Sequence, residues 1–328
     1  MDLIDASILV ISMDDLSQSA IEIAKKSNFL GIKYLSITKD LQVYTNYLSE
    51  DHIVIDTLGS KQSKLSRLLR DNDIIFIIQT LDSNSNTKSL SYISKLAREL
   101  NIVTVALILV PLVMDDHERP VYKQYSINHL HEDVDALLLF QEMDLLWGVN
   151  NQLFSNPEGF ARLIQKQLSV LHRFILPKGT GAIIIDVNDT KYILRSSGFN
   201  LFAMGAGDTS KTALKNLSLN LAGRSFKEAQ NLLIYVRCHE DCSLFEVTEI
   251  VNEISDQTGI IEPDLIFGCE GNAKLEERFE ISVIANKFRK LDSVIQTVRL
   301  NLPAITGILD NMKDNYEIPA LMRYKSLN

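Results

Sequence analysis

The first half of the chain alternates short apolar runs with helix-forming runs, and this alternation constrains the fold more than any other feature. The apolar runs are SILVIS (7–12), KYLSIT (33–38), HIVIDT (52–57), DIIFIIQ (73–79), VTVALILV (103–110) and VDALLLF (134–140). Strands this apolar are typical of a parallel sheet that helices cover on both faces. With right-handed crossovers, the pattern predicts an α/β fold with a doubly wound, mostly parallel sheet.

A long amphipathic segment, PEGFARLIQKQLSVLHRFI, follows, and its apolar residues recur at helical spacing. Beyond it lies a second unit that ends with the predicted strands DLIFGCEG and RFEISVIANKF. The sequence therefore predicts a first α/β domain, a central helix, a second α+β domain and a tail, at 1–156, 157–178, 179–288 and 289–328.

Composition excludes several classes of protein. A chain of 328 residues with 46% hydrophobic and 23% charged residues is typical of a soluble globular protein, and a net charge of -9 argues against nucleic-acid binding. Three cysteines are too few for a disulfide framework, which favours a reducing cytoplasm. The N-terminal MDLIDASILVIS reads as a strand rather than a signal peptide, and the apolar run at 102–114 is too short to span a bilayer.

The cysteines do not form a strong metal pattern. Cys238 and Cys242 lie in CHEDC and Cys269 lies in IFGCEG, but this spacing is not typical of zinc sites. We predict no metal there.

The stretch LDSNSNTKS, 81–89, separates an apolar strand from a helix. Strand, turn and helix is the arrangement in which α/β proteins hold phosphates, usually on glycine-rich turns. This turn contains no glycine.

The order of the elements resembles the FtsZ family of bacterial tubulin-like division GTPases. The resemblance is strongest in GFNLFAMGAGDTSKTALKNLSLN, in NLLIYVRCHEDCSLFEVTEIVNEI and in LIFGCEGNAKLEERFEISVIANKF. TKDLQ (38–42) resembles the family's NTDxQ loop, HEDVDALLLF is similar to its HVDslI strand, and YEIPALMR (316–323) resembles its C-terminal D-I-P-A-F-L-R peptide. The resemblance implies a tubulin/FtsZ-like two-domain fold, with a long central helix between the domains.

The family holds the phosphates of GTP or GDP on two glycine-rich loops, and both loops differ here. Asp14, Asp15, Leu16, Ser17 and Gln18 stand in place of the first glycine run. The second, the GGGTGTG signature, is replaced by Asp82, Ser83, Asn84, Ser85, Asn86, Thr87 and Lys88. The carboxylates of Asp14, Asp15 and Asp82 would repel a triphosphate. A Mg²⁺ ion shared between Asp82 and the triphosphate would turn this repulsion into an attraction. The alternatives are loops without nucleotide and a weak or altered nucleotide site.

Other nucleotide positions are implied by the resemblance alone. They are Asp40 in the NTDxQ-like loop, Asp115 at the ribose, Arg119 beside the nucleotide, Phe160 stacking on the base and Gln165 reading it. Without the resemblance, Phe160 lies on an apolar helical stripe and is interpreted as core, and Arg119 is interpreted as a surface ion-pair partner.

A catalytic loop is implied at IIIDVNDTKYI, where the family has NxDxxD. Asp186 and Asp189 have the matching spacing, and Ile184 replaces the Asn. In the family this loop completes the nucleotide site of the next subunit. The same spacing is also typical of aspartates that cap a helix.

The tail peptide implies a partner. In the family this peptide binds membrane adaptors of the FtsA type, which here would engage Ile318, Pro319, Ala320, Leu321, Met322 and Arg323. The alternative is an arbitrary tail.

The leading hypothesis is a pseudo-GTPase of the bacterial cytoplasm. It would dock head to tail with FtsZ or with itself at the division septum. One alternative is an active, polymerising GTPase with altered phosphate loops, and another is an interaction module outside division.

Overall fold

A computed structural model describes residues 7–27, 29, 31–38, 52–54, 65–80, 87–110, 130, 132–141, 156–175, 180–195, 199–221 and 224–288. The structural statements below concern these residues.

The first sheet has six described strands, and all of them are parallel. In the order β3-β2-β1-β4-β5-β6 they are His52–Val54, Ile32–Thr38, Ile8–Ser12, Ile74–Thr80, Val103–Val110 and Ala136–Gln141. The predicted parallel, doubly wound sheet is confirmed. Side chains of β1, β4 and β5 are buried on both faces, which explains why these strands read as continuous apolar runs.

Two helices cover opposite faces of this sheet. Helix α1 (Asp15–Ala24) follows β1, and helix α2 (Thr87–Glu99) follows β4. Ile21 of α1 packs in one core with Val10 and Phe76, whereas Ile93 of α2 packs in a second core with Ile75. Each helix thus buries one apolar stripe on its own side of the sheet.

Helix α3 (Asn156–Ile175) is the predicted central helix. Its apolar residues, including Leu168 and Phe174, belong to the same core as Val10 of the first sheet and Leu233 of the second. The helix therefore joins the two sheets through buried apolar contacts. Among the described helices, none is long and apolar enough to cross a membrane.

The second sheet is mixed. Its order is β7-β10-β9-β11-β8, with β7 Thr180–Ile183, β8 Asn200–Gly207, β9 Ala229–Cys238, β10 Asp264–Gly271 and β11 Phe279–Phe288. Strands β9 and β10 are parallel, and the other pairs are antiparallel. The helices of this unit are α4 (Val187–Leu194), α5 (Ser210–Asn220) and α6 (Leu244–Asp256).

A network of charged and polar side chains connects α3 to the second sheet. Glu280 of β11 accepts from Arg173 of α3 at 3.0 Å and from Arg237 of β9 at 2.8 Å. Arg237 also contacts Glu270 of β10 at 2.6 Å, and Tyr235 donates to Glu270 at 2.9 Å. Burial lowers the pKa of Arg173 and raises the pKa of Tyr235, the latter with a further contribution from Glu270. The network therefore holds largely buried charges in opposed pairs.

Candidate functional site

The strand order of the first sheet reverses between β1 and β4. Strands β2 and β3 lie on one side of this point, and β5 and β6 lie on the other. The helices that follow β1 and β4 pack on opposite faces. In doubly wound sheets ligands bind beyond the carboxyl ends of the strands at such a switch point. The candidate site is therefore the corner where β1 leads into α1 and β4 reaches Thr80.

Asp14 fills this corner with its own carboxylate. It is the N-cap of α1, and its Oδ1 accepts the backbone N–H of Ser17 at 2.8 Å. Its Oδ2 accepts the backbone N–H of Thr80 at 2.6 Å. Free backbone N–H groups at a helix N-terminus attract anions. Here two backbone donors at the switch point are already bound by a carboxylate of the same chain.

Ser17 completes this arrangement from the first turn of α1. Its hydroxyl oxygen accepts the backbone N–H groups of Met13 at 3.2 Å and of Asp14 at 3.1 Å. Asp14 and Ser17 therefore form a reciprocal capping box. Between them, the two side chains satisfy four backbone donors.

Asp14 is half-buried, and Asp15 is exposed. Burial raises the pKa of Asp14 above its usual range, although hydrogen bonds from Ser17 and Thr80 oppose the rise. This is the balance expected for a carboxylate held among backbone donors but removed from water.

Several predicted site residues lie outside the described residues or are described only by their backbone. The backbone of Thr87 and Lys88 forms the start of α2. Outside the described residues lie Asp40, Asp82, Ser85, Asn86, Asp115, Arg119 and the peptide residues Ile318, Pro319, Ala320, Leu321, Met322 and Arg323. Their roles stay predictions.

Phe160 and Gln165 lie on α3. The ring of Phe160 has 0% exposure and packs in the core shared with Ile21 and Phe76. This placement favours the core interpretation that the sequence left open. Gln165, on the same helix, is half-buried.

Asp186 and Asp189 form a second capping box, at the start of α4. Asp186 Oδ1 accepts the backbone N–H groups of Asn188 at 2.6 Å and of Asp189 at 2.8 Å. Asp189 Oδ2 accepts the backbone N–H of Asp186 at 3.1 Å. Helix capping therefore accounts for this spacing without any catalytic role. The neighbouring Ile184 is 64% exposed, so the loop also presents an apolar side chain to solvent.

The sequence interpretation missed the role of Thr80 and of the Ser17 hydroxyl. The sequence left open whether Asp14 lies beside a nucleotide or in a loop without one, and in the structure its carboxylate accepts from the backbone of its own helix and of β4. The signal was present, because an Asp followed three residues later by a Ser at the start of an apolar-periodic helix is a capping pattern. The bond to Thr80 has no such local signal, because it joins residues 66 positions apart.

We predict that Asp14→Ala lowers the free energy of unfolding by about 1–2 kcal/mol, because it leaves two partly buried backbone donors, of Ser17 and Thr80, without this acceptor. Urea denaturation measures this change. The control is Asp15→Ala, one residue away and exposed, which should change stability by less than about 0.5 kcal/mol. Equal effects of the two substitutions would contradict the role assigned to Asp14.

The contribution of Asp14 to stability also depends on pH, and its raised pKa fixes the direction of the change. Because the folded pKa of Asp14 is raised, the part of its contribution to stability that depends on protonation is complete below the unfolded pKa and is lost as the pH rises through the folded pKa. The hydrogen bonds that the carboxylate accepts from the backbone remain above that pH. Stability should therefore shift in favour of Asp14→Asn, relative to the wild type, as the pH rises through that window. A stability difference that does not change with pH would show that the carboxyl is not perturbed.

Comparison with known proteins identifies FtsZ proteins as sequence relatives. The chain is 24% identical over 237 residues to cell division protein FtsZ of Rickettsia conorii, which covers 68% of this chain and 51% of that protein. It is 21% identical over 343 residues to cell division protein FtsZ 1 of Methanocaldococcus jannaschii, covering 92% and 90%. The chain spans about half the length of the rickettsial relatives that it matches. No family model matches the sequence.

The fold is similar to solved structures of the same group. A mutant FtsZ of M. jannaschii superposes with a TM-score of 0.70 at 20% identity, over 87% of this chain and 92% of that one. A GTPγS-form protofilament of Bacillus thuringiensis TubZ superposes with a TM-score of 0.64 at 13% identity, over 94% and 93%. The tubulin/FtsZ-like fold is thereby confirmed. The chain is thus similar in sequence to proteins named FtsZ, and it has the fold that FtsZ and TubZ share.

Proposed function

We propose that the chain is a pseudo-GTPase: an FtsZ-like subunit that occupies a place in an assembly without hydrolysing GTP. Its setting would be bacterial cell division or a related membrane process, as for the relatives named cell division protein FtsZ. The observation that carries the proposal is the Asp14 carboxylate, which binds the backbone N–H groups of Ser17 and Thr80 at the switch point.

Electrostatics explains why this carboxylate opposes a phosphate. Two unit negative charges about 4 Å apart repel by roughly 4 kcal/mol at an effective dielectric of 20. At about 1.4 kcal/mol per tenfold, one such contact weakens binding by roughly a thousandfold. A phosphate would also have to displace Asp14 from donors at 2.6 and 2.8 Å. The built-in anion thus competes with nucleotide phosphates for the same backbone groups.

The aspartates of α4 support the same proposal. Both Asp186 and Asp189 are bound to backbone N–H groups of their own helix, which gives each a structural reason to be present. Helix capping therefore explains the presence of Asp186 and Asp189 without a role in GTP hydrolysis.

The runner-up is an active GTPase that binds Mg²⁺ together with GTP and hydrolyses it after assembly. The observation that favours it is exposure: Asp186 is exposed and Asp189 is half-buried, so both could face a neighbouring subunit. Nucleotide measurements separate the two proposals.

We expect no measurable heat of GTP binding by titration calorimetry and no bound GDP in protein purified without added nucleotide. The same preparation should release no phosphate at concentrations where it assembles. Phosphate release that rises cooperatively with protein concentration and is lost in Asp189→Ala would overturn the pseudo-GTPase proposal and establish the runner-up.

The proposed mode of docking is head to tail, with FtsZ or with a second copy of the chain. The supporting surface is the loop before α4, where Ile184 is 64% exposed beside the capped Asp186. A large exposed apolar side chain next to a rigid, capped helix start suits a protein interface. A heterologous contact of this kind propagates as a filament.

We predict that Ile184→Asp weakens this association at least tenfold, because a charge replaces an apolar contact at the interface centre. Sedimentation velocity, with the chain alone and mixed with FtsZ, measures the effect. The matched control is Leu219→Asp on α5, because Leu219 is 67% exposed but lies on a different helix. Equal losses in both variants, or none in Ile184→Asp, would refute docking through this loop.

The adaptor-binding role of the tail is also a proposal, supported by the resemblance of YEIPALMR to the family peptide. A chain truncated after Asp314 should lose binding to an FtsA-type adaptor and keep the melting temperature of the full chain. Fluorescence anisotropy measures the binding, and calorimetry measures the melting. Unchanged adaptor binding after truncation would refute the role.

A further inference from the structure

All three cysteines of the chain lie in one region of the second sheet. Cys238 ends β9, Cys242 lies in the turn that leads into α6, and Cys269 lies on β10 beside β9. All three are in the reduced, thiol form in the structure. Neither the capped site at the first sheet nor the loop before α4 involves them.

A tight turn separates Cys238 from Cys242. The backbone N–H of Cys242 donates to the carbonyl of His239 at 3.0 Å, which closes a four-residue turn. This turn keeps the Cα atoms of His239 and Cys242 within about 7 Å of each other, and Cys238 directly precedes it in the chain. The side chains of Cys238 and Cys242 pack in the same apolar cluster. The backbone on both sides is fixed, because the Cys238 carbonyl accepts from Asn272 at 2.8 Å and Ser243 caps α6. The turn therefore holds the two thiols in the same small region.

Strand register excludes Cys269 as the partner of Cys238. Cys238 is paired with Gly271, and Cys269 is paired with Val236. The two cysteines are thus diagonal neighbours, which in sheets lie about 7–8 Å apart. A disulfide needs Cβ atoms about 3.5–4.5 Å apart, so the rigid paired strands do not suit this bond.

The two thiols at the turn have different environments. Cys238 is only 5% exposed and its thiol donates to the Glu270 carbonyl at 3.8 Å. Burial, followed by the charge of Cys242, raises the pKa of Cys238 to about 12. Cys242 is half-buried, and its sulfur accepts from Arg278 Nε at 3.4 Å. The Arg278 guanidinium therefore lies against the more exposed of the two sulfurs, and the thiolate is the reactive form of cysteine.

From this geometry we propose that Cys242 and Cys238 form a dithiol site that hydroperoxides oxidise to a Cys238–Cys242 disulfide. Cys242 is the thiol that meets the oxidant, because it is the more accessible of the two and lies against Arg278. Cys238 is the resolving thiol.

The reaction proceeds in two steps. The Cys242 thiolate attacks one peroxide oxygen, so an S–O bond forms, the O–O bond breaks, and the alkoxide leaves as an alcohol after taking a proton. Cys242 is then a sulfenic acid. The Cys238 sulfur attacks this sulfur, an S–S bond forms, and the S–O bond breaks. The hydroxide leaves as water with the Cys238 proton. Overall, two thiols are oxidised by two electrons, and the hydroperoxide is reduced.

The test uses the full chain, reduced and then treated with a few equivalents of hydrogen peroxide or an organic hydroperoxide. Thiol titration after denaturation should show a fall from three free thiols to one. Peptide mass mapping should show residues 238 and 242 linked within one chain, with the loss of two hydrogens. A thiol reductant should restore all three.

Three serine variants make the assignment specific. Cys269→Ser should still lose both remaining thiols, whereas Cys242→Ser and Cys238→Ser should form no bond within the chain. In Cys238→Ser, a sulfenic-acid probe such as dimedone should label Cys242. If a variant fails to fold, the peptide mass map of the oxidised wild-type chain still identifies the two linked cysteines. Three unreacted thiols, a bond to Cys269, a bond between chains, or oxidation of Cys242 directly to sulfinic acid would each overturn the proposal.

Discussion

The relation between the central helix and the second sheet depends on one buried network of charges. Glu280 accepts from Arg173 of α3 and from Arg237 of β9, and Arg237 reaches across to Glu270 of β10. Removing one member of such a pair leaves an uncompensated buried charge, which typically costs about 3–5 kcal/mol. The hydrogen bonds of Arg173 add a directional contact between α3 and β11 to this apolar packing. The network thus complements the shared apolar core of the two sheets.

Several of the described helices are capped at their N-termini by side chains that accept hydrogen bonds from backbone N–H groups of the first turn. Reciprocal capping boxes are present at α1, α4 and α6, formed by Asp14 with Ser17, Asp186 with Asp189, and Ser243 with Glu246. At α4 and α6 this is local helix chemistry. At α1 it has a wider effect, because the cap also binds β4 through Thr80 and lies where a doubly wound sheet receives ligands.

Sequence patterns were sufficient for the fold wherever periodicity was strong. Strand β10 was predicted with the bounds observed, Asp264–Gly271, and the strands of the first sheet were found within a few residues. The candidate site was harder to predict from the sequence than the fold. No local pattern states whether a carboxylate at a helix start faces a ligand or turns back to the backbone, and the Thr80 contact depends on the sheet register. The proximity of Cys269 to Cys238 likewise follows from strand pairing and not from spacing.

The bond from Asp14 to Thr80 also bears on how the fold is maintained. In a protein whose phosphate loops are completed by a ligand, the empty state carries unsatisfied donors, and stability rises with ligand concentration by mass action. Here the donors of Ser17 and Thr80 are satisfied within the chain. These two hydrogen bonds therefore form as the chain folds. The acceptor belongs to the same chain as the donors, so its effective concentration beside them is fixed. The hydrogen bonds of these two donors do not require a bound small molecule.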